Sequence, residues 1–223
     1  MPSNKLTPSF PLGTHNAETP TTSRLINDLS LIPHPEGGYF VELDRDERRV
    51  KNPFSATTTT TTTADEKKNA NEEKNEDEVK ERNASTSILY FLTPHRPQGS
   101  FHRNKARTVH TLIRGRGTYV LLHPDEGEGG KRRVESFVVG HDVAAGEKVV
   151  WVVEGGRYKA SFLLPDRRQD GEDGGGEESC LLISETVVPG FEFSDHDFLT
   201  KQKFEEILSS EQRDELAWLV RDE

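Results

Sequence analysis

Residues 99–117 read GSFHRNKARTVHTLIRGRG. Two histidines, His102 and His110, fall in a run that closes on Gly115-Arg116-Gly117. In a strand, side chains alternate between faces, so residues an even number apart share a side. His102 and Asn104 share one side of the first run, and Thr108, His110 and Leu112 share one side of the next. Both histidines therefore look into a common interior if the sheet curls. One histidine on a half-buried strand is an ordinary core residue. Two at matching parity, with an amide between them and a glycine-hinged run downstream at 146–156, point to a pocket.

Short strands bounded by turn signals extend to both sides of this stretch. The alternation predicts strands at 39–43, 85–92, 101–104, 107–114, 118–123, 133–139, 148–153, 158–164 and 180–188. Strands so closely spaced, with few helices among them, argue for an antiparallel sandwich or barrel. Helical patterns are confined to the two ends. Thr22-Ser23 can cap a short helix carrying Leu25, Ile26 and Leu29 on one face. Near the end, Phe204, Ile207 and Leu208 form one apolar face, and Ser210 can cap a second helix bearing Leu216, Leu219 and Val220.

Three segments break the pattern. Residues 1–19 are polar and proline-bearing and are expected to be disordered. Residues 51–84 carry a threonine tract and a dense mixture of charges, and 166–179 are glycine-rich and acidic. Both read as disordered insertions. The strand at 39–43 cannot stand alone and must pair beyond the first insertion. Residues 20–223 therefore form one domain.

Composition narrows the function classes. Of 223 residues, 31% are hydrophobic and 30% charged, with a formal net charge of -10. A chain this acidic argues against nucleic acid and against anionic membrane surfaces as partners, because both require basic patches. The single cysteine, Cys180, excludes an internal disulfide and a cysteine zinc site. The first residues lack the apolar core of a signal peptide, and no apolar run approaches a membrane span. The expectation is a cytoplasmic protein.

The His102 run and its glycine punctuation resemble the first motif of the cupin superfamily, G-x5-H-x-H-x3–4-E-x6-G. Here it reads His102, Asn104 two residues on, Thr108 four further, and Gly115 after six more. The second motif, G-x5-P-x-G-x2-H-x3-N, runs from Gly146 through Glu154-Gly155-Gly156 to Lys159. The spacing agrees and the ligands do not. Asn104 replaces the second histidine, Thr108 the glutamate and Lys159 the last histidine. A wider likeness is carried by Pro33-His34-Pro35-Glu36-Gly37-Gly38-Tyr39, by Ser87-Ile88-Leu89-Tyr90-Phe91-Leu92 and by Val188-Pro189-Gly190-Phe191-Glu192-Phe193. These resemble a small cupin family long known only as a domain of unknown function, sometimes called cupin family five, and in particular its fungal branch. More distantly the chain resembles the dTDP-sugar epimerases. The resemblance implies an all-β fold: a double-stranded β-helix, or jelly-roll barrel, with short N- and C-terminal helices, one pocket per subunit and a homodimer.

The residues suggest acid–base chemistry rather than a metal centre. An ammonium at Lys159 has no lone pair to give and repels a cation. The expectation is no metal and no cofactor; a divalent transition metal at His102 and His110, with Glu36 or Glu185, is the lesser alternative. Neutral imidazoles are general bases near physiological pH. His102, His110 and Lys159 are thus the candidate catalytic residues, Lys159 stabilising an enolate, carboxylate or phosphate. Glu36, Tyr39, Asn104, Thr108, Trp151 and Glu185 are candidate ligand-binding residues, with Phe101 and Trp151 as an apolar wall. The function so read is binding of a small polar, anionic or carbonyl-containing molecule in a metal-independent pocket. A metal-independent epimerase or isomerase acting on a sugar-nucleotide-like or other carbonyl substrate is the alternative. A metal-dependent cupin enzyme or a storage-type cupin comes second to it.

Overall fold

Thr108, His110 and Leu112 are buried, while Thr111 and Ile113 between and beyond them are exposed. That period of two is the alternation expected of a sheet with one face on a core. A computed structural model of the chain describes residues 5–13, 17–55, 81–128, 130–167, 173–174, 176 and 178–221. Its elements in order are α1 (Pro20–Asp28), β1 (Ile32–Pro33), β2 (Tyr39–Arg45), β3 (Arg49–Lys51), β4 (Glu81–Asn83), β5 (Thr86–Leu92), β6 (Gln98–Asn104), β7 (Arg107–Gly115), β8 (Gly117–His123), β9 (Arg133–Val139), β10 (Val150–Val153), β11 (Tyr158–Leu163), β12 (Asp166–Arg167), β13 (Asp173–Gly174), β14 (Leu181–Val188), β15 (His196–Phe198), α2 (Lys201–Ile207) and α3 (Ser210–Leu216).

Two antiparallel sheets face each other. One has the order β1-β2-β5-β14-β7-β10 and the other β15-β6-β11-β8-β9. The order departs from the chain sequence in the manner of a jelly roll, so the motif strands β6, β7, β10 and β11 come from both sheets. Gly115, at φ +85°, ends β7; a Cβ there would meet the Cys180 carbonyl oxygen at 1.7 Å. Only glycine fits such a left-handed, closely approached position.

The core has three parts. Between the sheets lie Tyr90, Leu92, Leu112, Tyr119, Leu121, Val139, Trp151, Leu163, Leu181 and Ile183. On the outer face of the five-stranded sheet, Phe101, Val120, Leu122, Tyr158 and Phe162 are covered by α2 and α3 through Phe204, Leu208 and Leu216. On the outer face of the six-stranded sheet, Tyr39, Leu89, Phe91 and Leu182 lie under Leu25, Ile26 and Leu29 of α1. Among the described residues no helix is long and apolar enough to cross a membrane.

The helices begin slightly earlier than expected. The N-cap of α1 is Thr19, with Pro20 at the first helical position, where proline's missing N–H costs nothing. The cap of α3 is Ser209, which forms a capping box with Gln212.

The expected disordered segments are also redrawn. Within 1–19, Leu6 packs on the outer cluster and donates its N–H to Glu215 at 3.2 Å, and Phe10 packs on the core between the sheets. Glu18 accepts hydrogen bonds from Tyr39 and Thr93, each at 2.8 Å. These contacts tie residues 6, 10 and 18 to the barrel, while 1–4 and 14–16 lie outside the described residues. The 51–84 insertion has ordered ends, for β3 pairs with β4. Arg82 is 1% exposed, ion-paired with Asp195 and stacked over Phe54; residues 56–80 lie outside the described residues. In 166–179, β12 pairs with β13, and Ser179 is buried with its hydroxyl accepting from the Asp166 N–H at 3.2 Å. Residues 168–172, 175 and 177 lie outside the described set.

Candidate functional site

The turn between β1 and β2 is the first builder of the site. His34 N–H donates to the Gly38 carbonyl and Gly37 N–H to the His34 carbonyl, both at 3.1 Å. Gly37, at φ +114°, lets the turn lie against β6, where a Cβ would meet the Gln98 carbonyl oxygen at 2.0 Å. Ser100 N–H then donates to the Glu36 carbonyl at 2.7 Å and fixes the turn to the strand. The Glu36 carboxylate is thereby carried into the barrel end. Its Oε2 lies 3.1 Å from His102 Nε2 and its Oε1 2.8 Å from Nε2 of His196 on β15. The two imidazoles stack, with centroids 5.3 Å apart and planes at 20°. His34 Nδ1 is 3.7 Å from Glu36 Oε2.

These contacts set protonation. Burial alone would raise the Glu36 carboxyl, but His102, the His196 hydrogen bond and His34 outweigh it and hold the group at about 2. Burial lowers His102 to about 4 against the opposing pull of Glu36, and lowers His34 as well. Glu36 is therefore an anion, and His102 neutral, at physiological pH. His102 Nδ1 lies 2.9 Å from the Ser100 carbonyl oxygen. A carbonyl only accepts, so this bond places the hydrogen on Nδ1.

A second group lies deeper. Lys159 of β11 is 3% exposed; its Nζ is 2.5 Å from Oε2 of Glu185 on β14 and 3.1 Å from Nε2 of His110 on β7. The Tyr119 hydroxyl donates to Glu185 Oε1 at 3.4 Å. His110 stacks on Trp151 of β10, centroids 5.1 Å apart at 7°. Burial and then Lys159 lower His110. Burial would raise Glu185, and Lys159 with His110 overcome it, leaving the carboxyl well below its ordinary value. Burial raises the Tyr90 and Tyr119 hydroxyls, which remain protonated. The two groups are near enough to act on one another: Lys159 lowers Glu36 and His102, and Glu185 raises His34.

The expected residues divide accordingly. Glu36 and His102 meet; Lys159, His110, Glu185 and Trp151 meet. Asn104, two residues from His102 on the same strand face, is buried with Oδ1 unpartnered. Thr108 is buried on β7, opposite Val153. Tyr39 does not join the site. It lies on the outer face under α1 and spends its hydroxyl on Glu18. Phe101 is likewise on an outer face, beneath the C-terminal helices, so Trp151 stands without it. His196 was missed because no strand was expected after 188; β15 adds to the edge of β6 with His196 opposite Asn104. A cavity of about 710 Å³ adjoins the turn and is lined in part by His34, Glu36, Arg96, Trp218 and Arg221.

The four positions that hold metal in the cupin motifs are here His102, Asn104, Thr108 and Lys159. They do not fit that role, because the Lys159 ammonium has no lone pair and is committed to Glu185 and His110.

Fold and site together define a small jelly-roll barrel with a cluster of buried ionisable groups. Residues 23–199 match the family described as cupin superfamily (DUF985), and the chain belongs to that family. It is 43% identical over 200 residues to an uncharacterized protein of Saccharomyces cerevisiae, covering 88% of this chain and 85% of the yeast protein. Two solved structures share the fold. A hypothetical protein from Leishmania major has a TM-score of 0.63 at 24% identity, and a protein from Shewanella oneidensis 0.61 at 21%; each match covers 90% of this chain and 98% of the other.

Proposed function

We propose that the barrel end binds a small polar molecule bearing carbonyl or carboxylate oxygens. One observation carries this reading: Glu36, His102, His110, Lys159 and Glu185 are all buried and lie near enough to act on one another. Burying charge costs stability, and groups perturbed by burial and by specific partners concentrate at functional sites. Asn104 Oδ1 and Trp151 Nε1, both buried without a partner, leave polar capacity for a ligand. A second reading, proton transfer beside a carbonyl as in an epimerase, is favoured by the His102–Glu36 contact at 3.1 Å. Neither reading needs a metal at the cupin-motif positions.

Native mass spectrometry of the purified protein tests the binding reading, followed by thermal-shift titration with simple carboxylates, sugar phosphates and nucleoside-diphosphate sugars. The expected result is a retained or added small molecule, lost in Asn104→Ala and Trp151→Phe variants that remain folded. No bound species and no shift with any of these ligands would defeat the reading.

The same reading includes a homodimer. Ile113, Val150 and Val152 form an exposed apolar strip on β7 and the edge strand β10, a surface that proteins usually cover. Sedimentation should give twice 25.1 kDa, and Val150→Lys should give the single chain. A monomeric native protein would remove the dimer.

A further inference from the structure

We infer that Glu36, His102 and His196 form a binding site for one divalent transition-metal ion, built from a different set of residues than the cupin motifs use. The three are brought together from three separate elements: the turn before β2, the inward face of β6, and β15 at the sheet edge. One ligand atom from each, a Glu36 carboxylate oxygen and an imidazole nitrogen of each histidine, lies within 4.8 Å of the others. Two imidazoles and one carboxylate are a donor set suited to iron, manganese, cobalt or zinc.

The hydrogen-bond geometry supplies the independent reason. Because His102 Nδ1 carries the hydrogen donated to the Ser100 carbonyl, Nε2 of the neutral ring presents a lone pair. That lone pair faces Glu36 Oε2 at 3.1 Å. A histidine whose far nitrogen donates to a backbone carbonyl is also the arrangement that orients imidazoles toward metals. Asn104 adds to this: its buried Oδ1 has no partner, and it sits on the His102 face directly opposite His196 in the strand register.

The surrounding charges permit a cation. The side chains beside the Glu36 carboxylate among the described residues are the imidazoles of His34, His102 and His196, and no lysine or arginine pairs with it. Lys159 acts on Glu36 from a distance, but its own charge is compensated by Glu185 at 2.5 Å. A bound metal would take His102 out of use as a base, so this inference and the epimerase reading exclude each other. It rests on side-chain geometry and stands apart from whether the pocket also binds an organic molecule.

The test is a titration of chelator-treated, full-length protein with cobalt(II), followed by visible ligand-field absorption and isothermal calorimetry. One equivalent per chain is expected, with bands characteristic of nitrogen and oxygen ligation. Glu36→Gln and His196→Asn should each weaken binding by at least about tenfold, the effect of disturbing a metal's ligand environment. His141→Gln, at an exposed histidine, should leave binding unchanged. If Glu36→Gln does not fold, His196→Asn decides, since His196 is only partly buried at a sheet edge. Folded wild-type protein without stoichiometric bands, or binding that persists in the folded variants, would overturn the inference.

Discussion

Replacing Lys159 by Met would leave the Glu185 carboxylate buried without its counter-charge. Nζ lies 2.5 Å from Glu185 Oε2, whereas the nearest remaining partners, His110 Nε2 and Tyr119 Oη, are at 3.3 and 3.4 Å. Removing one partner of a buried pair costs about 3–5 kcal/mol. At about 2–4 °C per kcal/mol for a domain of this size, the thermal midpoint falls by roughly 6–20 °C. The loss depends on pH. In the native chain the Glu185 carboxyl titrates well below its ordinary value because Lys159 and His110 outweigh burial. That depressed group contributes stability above its unfolded pKa, near 4.3, and loses it as pH falls toward the folded value. In the variant burial prevails and the folded pKa rises above the unfolded one. The variant is then penalised above that unfolded value and relieved below it. The gap between native and variant is therefore widest near neutrality and narrows in acid. Urea unfolding at about pH 7 and about pH 5 measures it. A Lys159→Met/Glu185→Leu double variant removes both charges and should recover at least half of the loss. A single-variant loss under about 1 kcal/mol at neutral pH, the scale of one ordinary hydrogen bond, would refute the reasoning. So would a double variant no more stable than the single one.

Tyr39→Phe should cost about 1 kcal/mol through the lost bond to Glu18; any accompanying change in ligand or cobalt binding would return Tyr39 to the site. Asp195→Asn strips the buried Arg82 guanidinium of its anion and should destabilise by about 3–5 kcal/mol in chemical denaturation; a near-neutral result would mean that Arg82 is solvated. His34, His102 and His110 are lowered chiefly by burial. The unfolded chain binds protons near pH 6.5 that the native chain refuses, so stability should fall steadily from about pH 6.5 to about pH 4, and a flat profile over that window would contradict neutral buried imidazoles.

The sheets were legible because a half-buried strand writes its face into a period of two. The runs expected at 133–139 and 180–188 emerge as Arg133–Val139 and Leu181–Val188. Alternation along β11 likewise turns Lys159 inward and Tyr158 outward, beneath the C-terminal helices. Parity fails where both faces are buried. Every residue of β8 is buried, and Tyr39 faces an apolar layer outside the barrel that the pattern cannot distinguish from its interior, whereas Phe101, next to His102, is turned outward by parity itself. Composition also carries no sign of the contacts that Leu6, Phe10 and Glu18 make with the barrel.

The site was half legible for a related reason. Motif spacing locates His102 and Lys159, and strand parity His110, but neither carries information on which inward side chains meet. Lys159 reads from sequence as an ammonium in search of an anionic ligand. The fold supplies that anion internally as Glu185, from a strand that no cupin motif includes. The positive charge beside Glu185 is therefore covalently tethered. Glu36 has no such tethered partner and meets only imidazoles. Of the two carboxylates among these residues, Glu185 faces an ammonium of the protein, and Glu36 faces imidazoles alone, that of His196 within hydrogen-bond distance. On the inference of a metal site, exchangeable chemistry belongs at Glu36, on the turn that adjoins the open cavity.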